Sequence, residues 1–194
     1  MKIVIIDYGA GNVFSVSTAI ERLGYKAVLS SDINEILTAD RVIFPGVGQA
    51  SSALEELKKR GLDKILPTLK VPVLGICLGM QMMCAHSQEG GGAEGLGIFP
   101  MAVRRFEGEE KIPHMGWNDI YGLDSPIMEG VDESKVYFVH SYYVDVDERY
   151  TIARCDYMGE FSAAIKKDNF YGVQFHPEKS AEIGERIIRN FINL

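Results

Sequence analysis

Short apolar runs alternate with amphipathic stretches through the first half of the chain. Lys2–Asp7 is a β-branched run that reads as a buried strand. Asn12 is placed to cap a helix over Val13–Leu23, which Gly24 ends. Ala27–Ser30 reads as a second strand, Asp32–Leu37 as a turn or two of helix, and Arg41–Phe44 as a third strand. That strand breaks at Pro45-Gly46-Val47-Gly48, and a helix over Ser51–Arg60 follows with Gly61 as its stop. Val71–Ile76 is the fourth strand and Leu78–Ala85 the helix after it. Strand alternating with helix is the signature of a parallel sheet covered on both faces.

Beyond residue 86 the pattern changes. Gln88–Gly95 is a glycine-rich loop, and strand-like segments follow at Met101–Phe106, Val136–Val139, Tyr142–Val146, Ile152–Cys155, Phe161–Lys166 and Phe170–Phe175. Asp168-Asn169 suits a hairpin turn between the last two. Ile183, Ile187, Phe191 and Leu194 then form one apolar stripe of a closing helix. The expected fold is α/β: a mostly parallel sheet flanked by helices, with a strand-rich second half, in a single domain over residues 1–194.

Composition narrows the class without changing that picture. The chain has 194 residues, 46% of them hydrophobic and 24% charged, which is ordinary for a globular protein. A formal charge of -7 argues against a nucleic-acid surface, which needs clustered positive charge. No apolar run approaches the roughly 20 residues that span a bilayer, and Asp7 interrupts the first run too early for a signal peptide. Cys77, Cys84 and Cys155 are odd in number and lack a C-x-x-C pair, against a disulfide scaffold or structural zinc. The expectation is a cytoplasmic protein without metal or cofactor.

Tyr8-Gly9-Ala10-Gly11-Asn12 follows a strand and opens a helix, as a dinucleotide loop does, but Phe14 stands where the third glycine belongs. A tight strand-to-helix turn is the better reading. Gly75-Ile76-Cys77-Leu78-Gly79 has the shape of a nucleophile elbow with cysteine in place of serine. A sharp turn would hold Cys77 at the sheet's C-terminal edge, with the Leu78 N–H beside any oxyanion formed there. A buried core cysteine at a glycine-rich turn fits the same five residues.

A cysteine nucleophile needs a base, and the base an orienting acid. Of His86, His114, His140 and His176, only His176 is followed two residues later by a carboxylate, in His176-Pro177-Glu178. Proline prevents helix there, and in extended chain residues two apart face the same way. Glycines in Pro45-Gly46-Val47-Gly48 let backbone approach a ligand closely, and a free N–H there could complete an oxyanion hole, although by itself the stretch reads better as a plain turn. Gln81, one helical turn beyond Cys77, faces the same pocket, whereas Cys84 reads as helix core.

Together these stretches resemble the class I (triad) glutamine amidotransferases. Pro45–Gly48, Gly75–Gln81 and Gly172-Val173-Gln174-Phe175-His176-Pro177-Glu178 match that family's three hallmark stretches in order. The resemblance implies a flavodoxin-like fold, Cys77 as nucleophile, His176 as general base and acid, and Glu178 as its orienter. It places oxyanion N–H groups at Leu78 and Val47, and glutamine contacts at Gly46, Gln81, Ser141 and Tyr142. Two further stretches, Ile5–Asn12 and Ile112-Pro113-His114-Met115-Gly116-Trp117-Asn118, resemble a subfamily of glutaminase subunits in histidine biosynthesis. There, His114, Met115, Trp117, Asn118 and Lys179 are implied to meet a separate (β/α)8 barrel cyclase subunit, which receives the ammonia in a heterodimer. The glycines at 90–92 depart from the more acidic loop usual in that subfamily, which puts a substrate role for Glu89 in question. Other readings are a glutaminase for an anthranilate or pyridoxal phosphate synthase, a stand-alone γ-glutamyl cysteine hydrolase, and a non-catalytic module that only activates a partner.

Overall fold

The computed structural model of the chain describes residues 1–9, 12–132 and 134–194. Ala10 and Gly11 of the Tyr8–Asn12 run lie outside the described residues. The first half runs β1 (Ile3–Ile6), α1 (Val13–Arg22), β2 (Ala27–Ser30), α2 (Ile33–Leu37), β3 (Arg41–Gly46), α3 (Ala50–Lys59), α4 (Leu62–Ile65), β4 (Val73–Cys77) and α5 (Leu78–Met83). Then come β5 (Cys84–Ser87), β6 (Ala93–Glu94), β7 (Phe99–Arg105), β8 (His114–Ile120), β9 (Ser134–His140) and β10 (Tyr142–Val144). The chain closes with β11 (Thr151–Asp156), β12 (Glu160–Lys167), β13 (Phe170–Val173) and α6 (Ala181–Ile192).

Seven strands form the main sheet in the order β11-β12-β13-β4-β3-β1-β2. From β13 to β2 every pairing is parallel, whereas β12 and β11 extend the sheet antiparallel. The inner strands are buried on both faces, which is why they read as unbroken apolar runs. Alternation then sorts them. Ile3, Ile5, Ile43, Leu74 and Ile76 pack under α1 and α6 on one face. Val4, Ile6, Val42, Phe44 and Val73 pack against Leu54, Leu57, Leu62 and Met80 of α3, α4 and α5 on the other.

Four local readings are corrected. The helix after β4 stops at Met83, because Cys84 turns extended and β5 pairs with β7. Asn12 stands at the start of α1 without a side-chain capping bond, whereas the Asp32 carboxylate accepts from the Asn34 and Glu35 amides at 2.8 and 3.1 Å. The short helix α4 and the strand β8 were not foreseen. β8 pairs antiparallel with β9 over its whole length, in a ribbon separate from the main sheet.

Candidate active site

β13, β4 and β3 are adjacent and parallel at the centre of the sheet, so their C-terminal ends open on one edge. His176 lies just past β13, Cys77 ends β4, and Val47 follows β3. Three segments far apart in sequence thus meet where ligands bind in open α/β sheets.

Cys77 adopts φ 53° and ψ -110°, a backbone conformation that costs a non-glycine residue about 1–3 kcal/mol. Close packing around the turn holds it there. A Cβ at Gly79 would overlap the Phe44 carbonyl oxygen, and one at Gly46 would sit 2.7 Å from the Gly79 nitrogen. The start of α5 is therefore pressed directly onto the end of β3. As the first residue of α5, Leu78 has an N–H with no partner inside the helix. The Tyr8 hydroxyl, fully buried, donates to the Pro45 carbonyl at 3.1 Å and pins the segment that carries Val47.

Cys77, Leu78, Val47, Gln81, His176, Ser141 and Tyr142 all line one cavity of about 310 Å³. Gly46 is not on its wall; it fills the close approach beneath. His176 Nδ1 pairs with Glu178 Oε1 at 2.8 Å, with both side chains buried. Burial works against charge on the ring, but the Cys77 sulfur and the Glu178 carboxylate outweigh it and hold the imidazole up to about 10. Among the described residues His176 Nε2 and Glu178 Oε2 are buried without hydrogen-bond partners.

Sequence reasoning assigned no role to two residues that complete this geometry. Gln174 is fully buried; its Nε2 lies 3.7 Å from the Cys77 sulfur and its Oε1 accepts from Gln81 Nε2 at 2.9 Å. Ser180 donates to the His176 carbonyl at 2.6 Å and accepts from the Tyr137 amide at 3.0 Å, fastening the His-Pro-Glu turn to β9. A glutamine inside the apolar run Phe170–Phe175 was the available signal for the first, since a buried polar residue needs a partner. Ser180 carried none. Glu89 reaches the cavity wall, and its Oε2 accepts from the Ala50 amide at 2.6 Å, closing the start of α3.

The run His114–Asn118 does not present one face. Strand alternation turns Met115 and Trp117 outward, 61% and 52% exposed, and His114 inward at 4%. That corrects the expectation for His114, which has no surface to offer a partner, and Asn118 points the same way as His114. Trp117 packs edge-on against Tyr137, and Lys179 Nζ lies 5.8 Å from the same ring, so Trp117, Tyr137 and Lys179 share a face. Cys84 and Cys155 sit in the core, where burial pushes both thiols up to about 12 and keeps them inert. Among the described residues no helix is long and apolar enough to cross a membrane, and no cluster of His, Cys, Asp and Glu is arranged to hold a metal.

A strained cysteine at the end of a central strand, beside a buried imidazole–carboxylate pair, is the arrangement of a nucleophile elbow on an α/β sheet. The model of the class-I glutamine amidotransferases matches residues 4–194, and the chain belongs to that family of enzymes. It is 54% identical to imidazole glycerol phosphate synthase subunit HisH of Bacteroides fragilis over 198 residues, covering 100% of both chains. The same-named subunit of Archaeoglobus fulgidus is 44% identical over 195 residues, covering 99% of this chain and 98% of that one. Among solved structures, a glutamine amidotransferase superposes with a TM-score of 0.78 at 17% identity, covering 98% of this chain and 97% of that one. PurLQS from Thermotoga maritima does so with 0.73 at 16%, covering 99% and 97%.

Proposed function

We propose that the chain is the glutaminase subunit of an imidazole glycerol phosphate synthase, hydrolysing L-glutamine to glutamate and ammonia. The observation that carries this reading is the meeting of Cys77, at positive φ, with His176 on one cavity wall, the imidazole backed by the buried Glu178 carboxylate. The Cys77 thiolate attacks the side-chain carboxamide carbon. The N–H groups of Leu78 and Val47 take the oxyanion, each such donor being worth roughly 10²–10³ in rate. The His176 imidazolium gives its proton to the departing ammonia, leaving a glutamyl thioester on the sulfur. Neutral His176 then takes a proton from water, whose oxygen attacks the thioester. Collapse releases glutamate and restores the thiolate–imidazolium pair. Gln81, Ser141 and Tyr142, on the cavity wall, hold the amino-acid end of the substrate, with Gly46 shaping the floor under Leu78.

Ammonia released into bulk water protonates and loses its nucleophilicity, so useful transfer needs an enclosed path. The exposed Trp117 and Met115, with Lys179 beside Tyr137, are the surface we assign to a separate (β/α)8 cyclase subunit. That subunit would convert the ammonia into imidazole glycerol phosphate and aminoimidazole carboxamide ribotide in histidine biosynthesis. Three free buried thiols suit the reducing cytoplasm.

Cys77→Ala should abolish glutamine hydrolysis, by about 10⁴-fold or more, with the fold intact by circular dichroism. Retained hydrolysis in that variant overturns the assignment. Co-purification with a candidate barrel subunit, followed by glutaminase assay with and without the nucleotide acceptor, tests the partner. Low activity of the lone chain that rises with partner and acceptor is expected if acceptor binding reorients the Val47 peptide to complete the oxyanion hole.

A further inference from the structure

Behind the cavity wall lies a buried chain of hydrogen bonds that the reaction above does not use. Asn118 Nδ2 is 3.2 Å from His114 Nε2, His114 Nδ1 is 3.0 Å from His140 Nε2, and His140 Nδ1 is 2.8 Å from the Tyr142 carbonyl. The direction of this chain is set at its outer end, and its inner end agrees. At the inner end a carbonyl can only accept, so His140 Nδ1 carries a proton. At the outer end the Asn118 amide is fixed by backbone: Asp119 N–H donates to Oδ1 at 2.9 Å, and Nδ2 donates to the Asp156 carbonyl at 3.0 Å. The second Nδ2 hydrogen therefore goes to His114 Nε2, leaving His114 Nδ1 to donate to His140. His140 Nε2 then accepts, in agreement with the Nδ1–H at the inner end, and the chain closes only when each ring is neutral with its proton on Nδ1.

The chain continues past the carbonyl. Tyr142 O accepts a second bond from Gln81 Nε2 at 2.9 Å, and Gln81 Nε2 also donates to Gln174 Oε1, whose amide nitrogen faces the Cys77 sulfur. Gln81 is thus turned with its nitrogen into the protein. Val139, His140, Ser141 and Tyr142 meanwhile form one continuous stretch of cavity wall. His114 itself is not on that wall. Its ring is clamped between Tyr157 and Phe138, stacked at centroid distances of 4.0 and 4.8 Å.

We propose that His114 and His140 are positioning residues for the glutamine pocket, a pair of imidazoles in fixed Nδ1–H tautomers that orients the Tyr142 carbonyl, and through it Gln81. This rests on the reading that glutamine occupies the Cys77 cavity. Burial agrees with the required charge state, pushing His114 down to about 4 and His140 down to about 3. The pair also joins β8, whose other face carries Met115 and Trp117, to the wall of the pocket.

The first measurement needs no catalysis. Side-chain ¹⁵N NMR of the full chain, alone and with its partner, should show Nδ1 pyrrole-like and Nε2 pyridine-like for both residues across about pH 5–8. An Nε2–H or charged form of either ring overturns the proposal. The second is kinetic. His114→Phe keeps the stacking but removes the donor, and should raise KM for glutamine about tenfold while kcat falls less than about threefold. His140→Asn keeps a donor at the Nδ1 position and should stay within about threefold of the parent KM, whereas His140→Phe should not. An unchanged KM in folded His114→Phe, or equal losses for Asn and Phe at 140, overturns the proposal. If a Phe variant does not fold, the tautomers and His140→Asn still decide. Hydrolysis surviving in Cys77→Ala instead overturns the underlying reading and leaves the tautomer result standing.

Discussion

The chain buries two histidine sites a short way apart and gives them opposite charge. His176 faces a carboxylate and a sulfur, and its imidazole is held up to about 10. His114 and His140 face each other, a carbonyl and an amide, and fall to about 4 and 3. All three rings are nearly inaccessible, so burial alone does not decide whether a ring is charged. What decides is whether an anion lies within reach to repay the loss of water. One site can therefore hold and release a proton during a reaction, while the rings of the other stay neutral.

Exchanging partners between the two sites is the direct way to break this comparison. The largest effect should come from Glu178→Gln, which leaves the geometry and removes the anion. Rate should fall by about 10²–10⁴-fold, as when an orienting carboxylate is lost from a triad. The sign for pH follows from the raised value. In the parent, imidazolium and its contribution to stability are fully present below the unfolded value of 6.5 and are lost as pH rises through about 10. The alkaline limb of kcat should therefore move to lower pH in Glu178→Gln, and a limb that stays in place refutes the role given to Glu178. The reverse exchange is Asn118→Asp, which sets a carboxylate beside His114 Nε2 and should raise that ring by about one to three pH units. NMR titration of His114 reads this directly; a ring that stays neutral at pH 5 would mean that partners do not control its charge. The smallest effect is expected from Ser180→Ala. It alters no charge but leaves the Tyr137 amide without its acceptor, costing about 1–3 kcal/mol in urea unfolding, with the alkaline limb unmoved.

The same contrast explains what could be read in advance. Cys77, Leu78, Gln81, His176 and Glu178 were legible because their geometry is local: a glycine-flanked strand end, one helical turn, and an extended His-x-Glu. The parallel strands were legible because both faces are apolar. β8 was not, since its inward positions are His114, Gly116, Asn118 and Ile120, and three of those four carry no apolar signal. Burying such residues makes sense only through partners 26 and 38 positions away, which no local pattern displays. The apolar run around Gln174 signals a buried polar residue but not its partners 93 and 97 positions away, and Ser180 meets Tyr137 from 43 positions away with no signal at all. Cys84 was misplaced in a helix because Met80, Met82, Met83 and Cys84 prolong the apolar run around Gln81, and the pairing of β5 with β7 overrides its helical propensity.

The position of β4 at the middle of the seven-stranded sheet has a consequence for local stability. The wall carrying Cys77, Val47 and His176 grows from the three innermost strands, which exchange their amide hydrogens only when the whole chain opens. The facing wall, Val139–Tyr142, hangs on the two-stranded ribbon β8–β9 and on the outermost strand of a separate four-stranded sheet. A two-stranded ribbon opens far more readily than a sheet interior. Hydrogen exchange should therefore divide the pocket down its middle, with a slow half bearing the nucleophile and a faster half facing it.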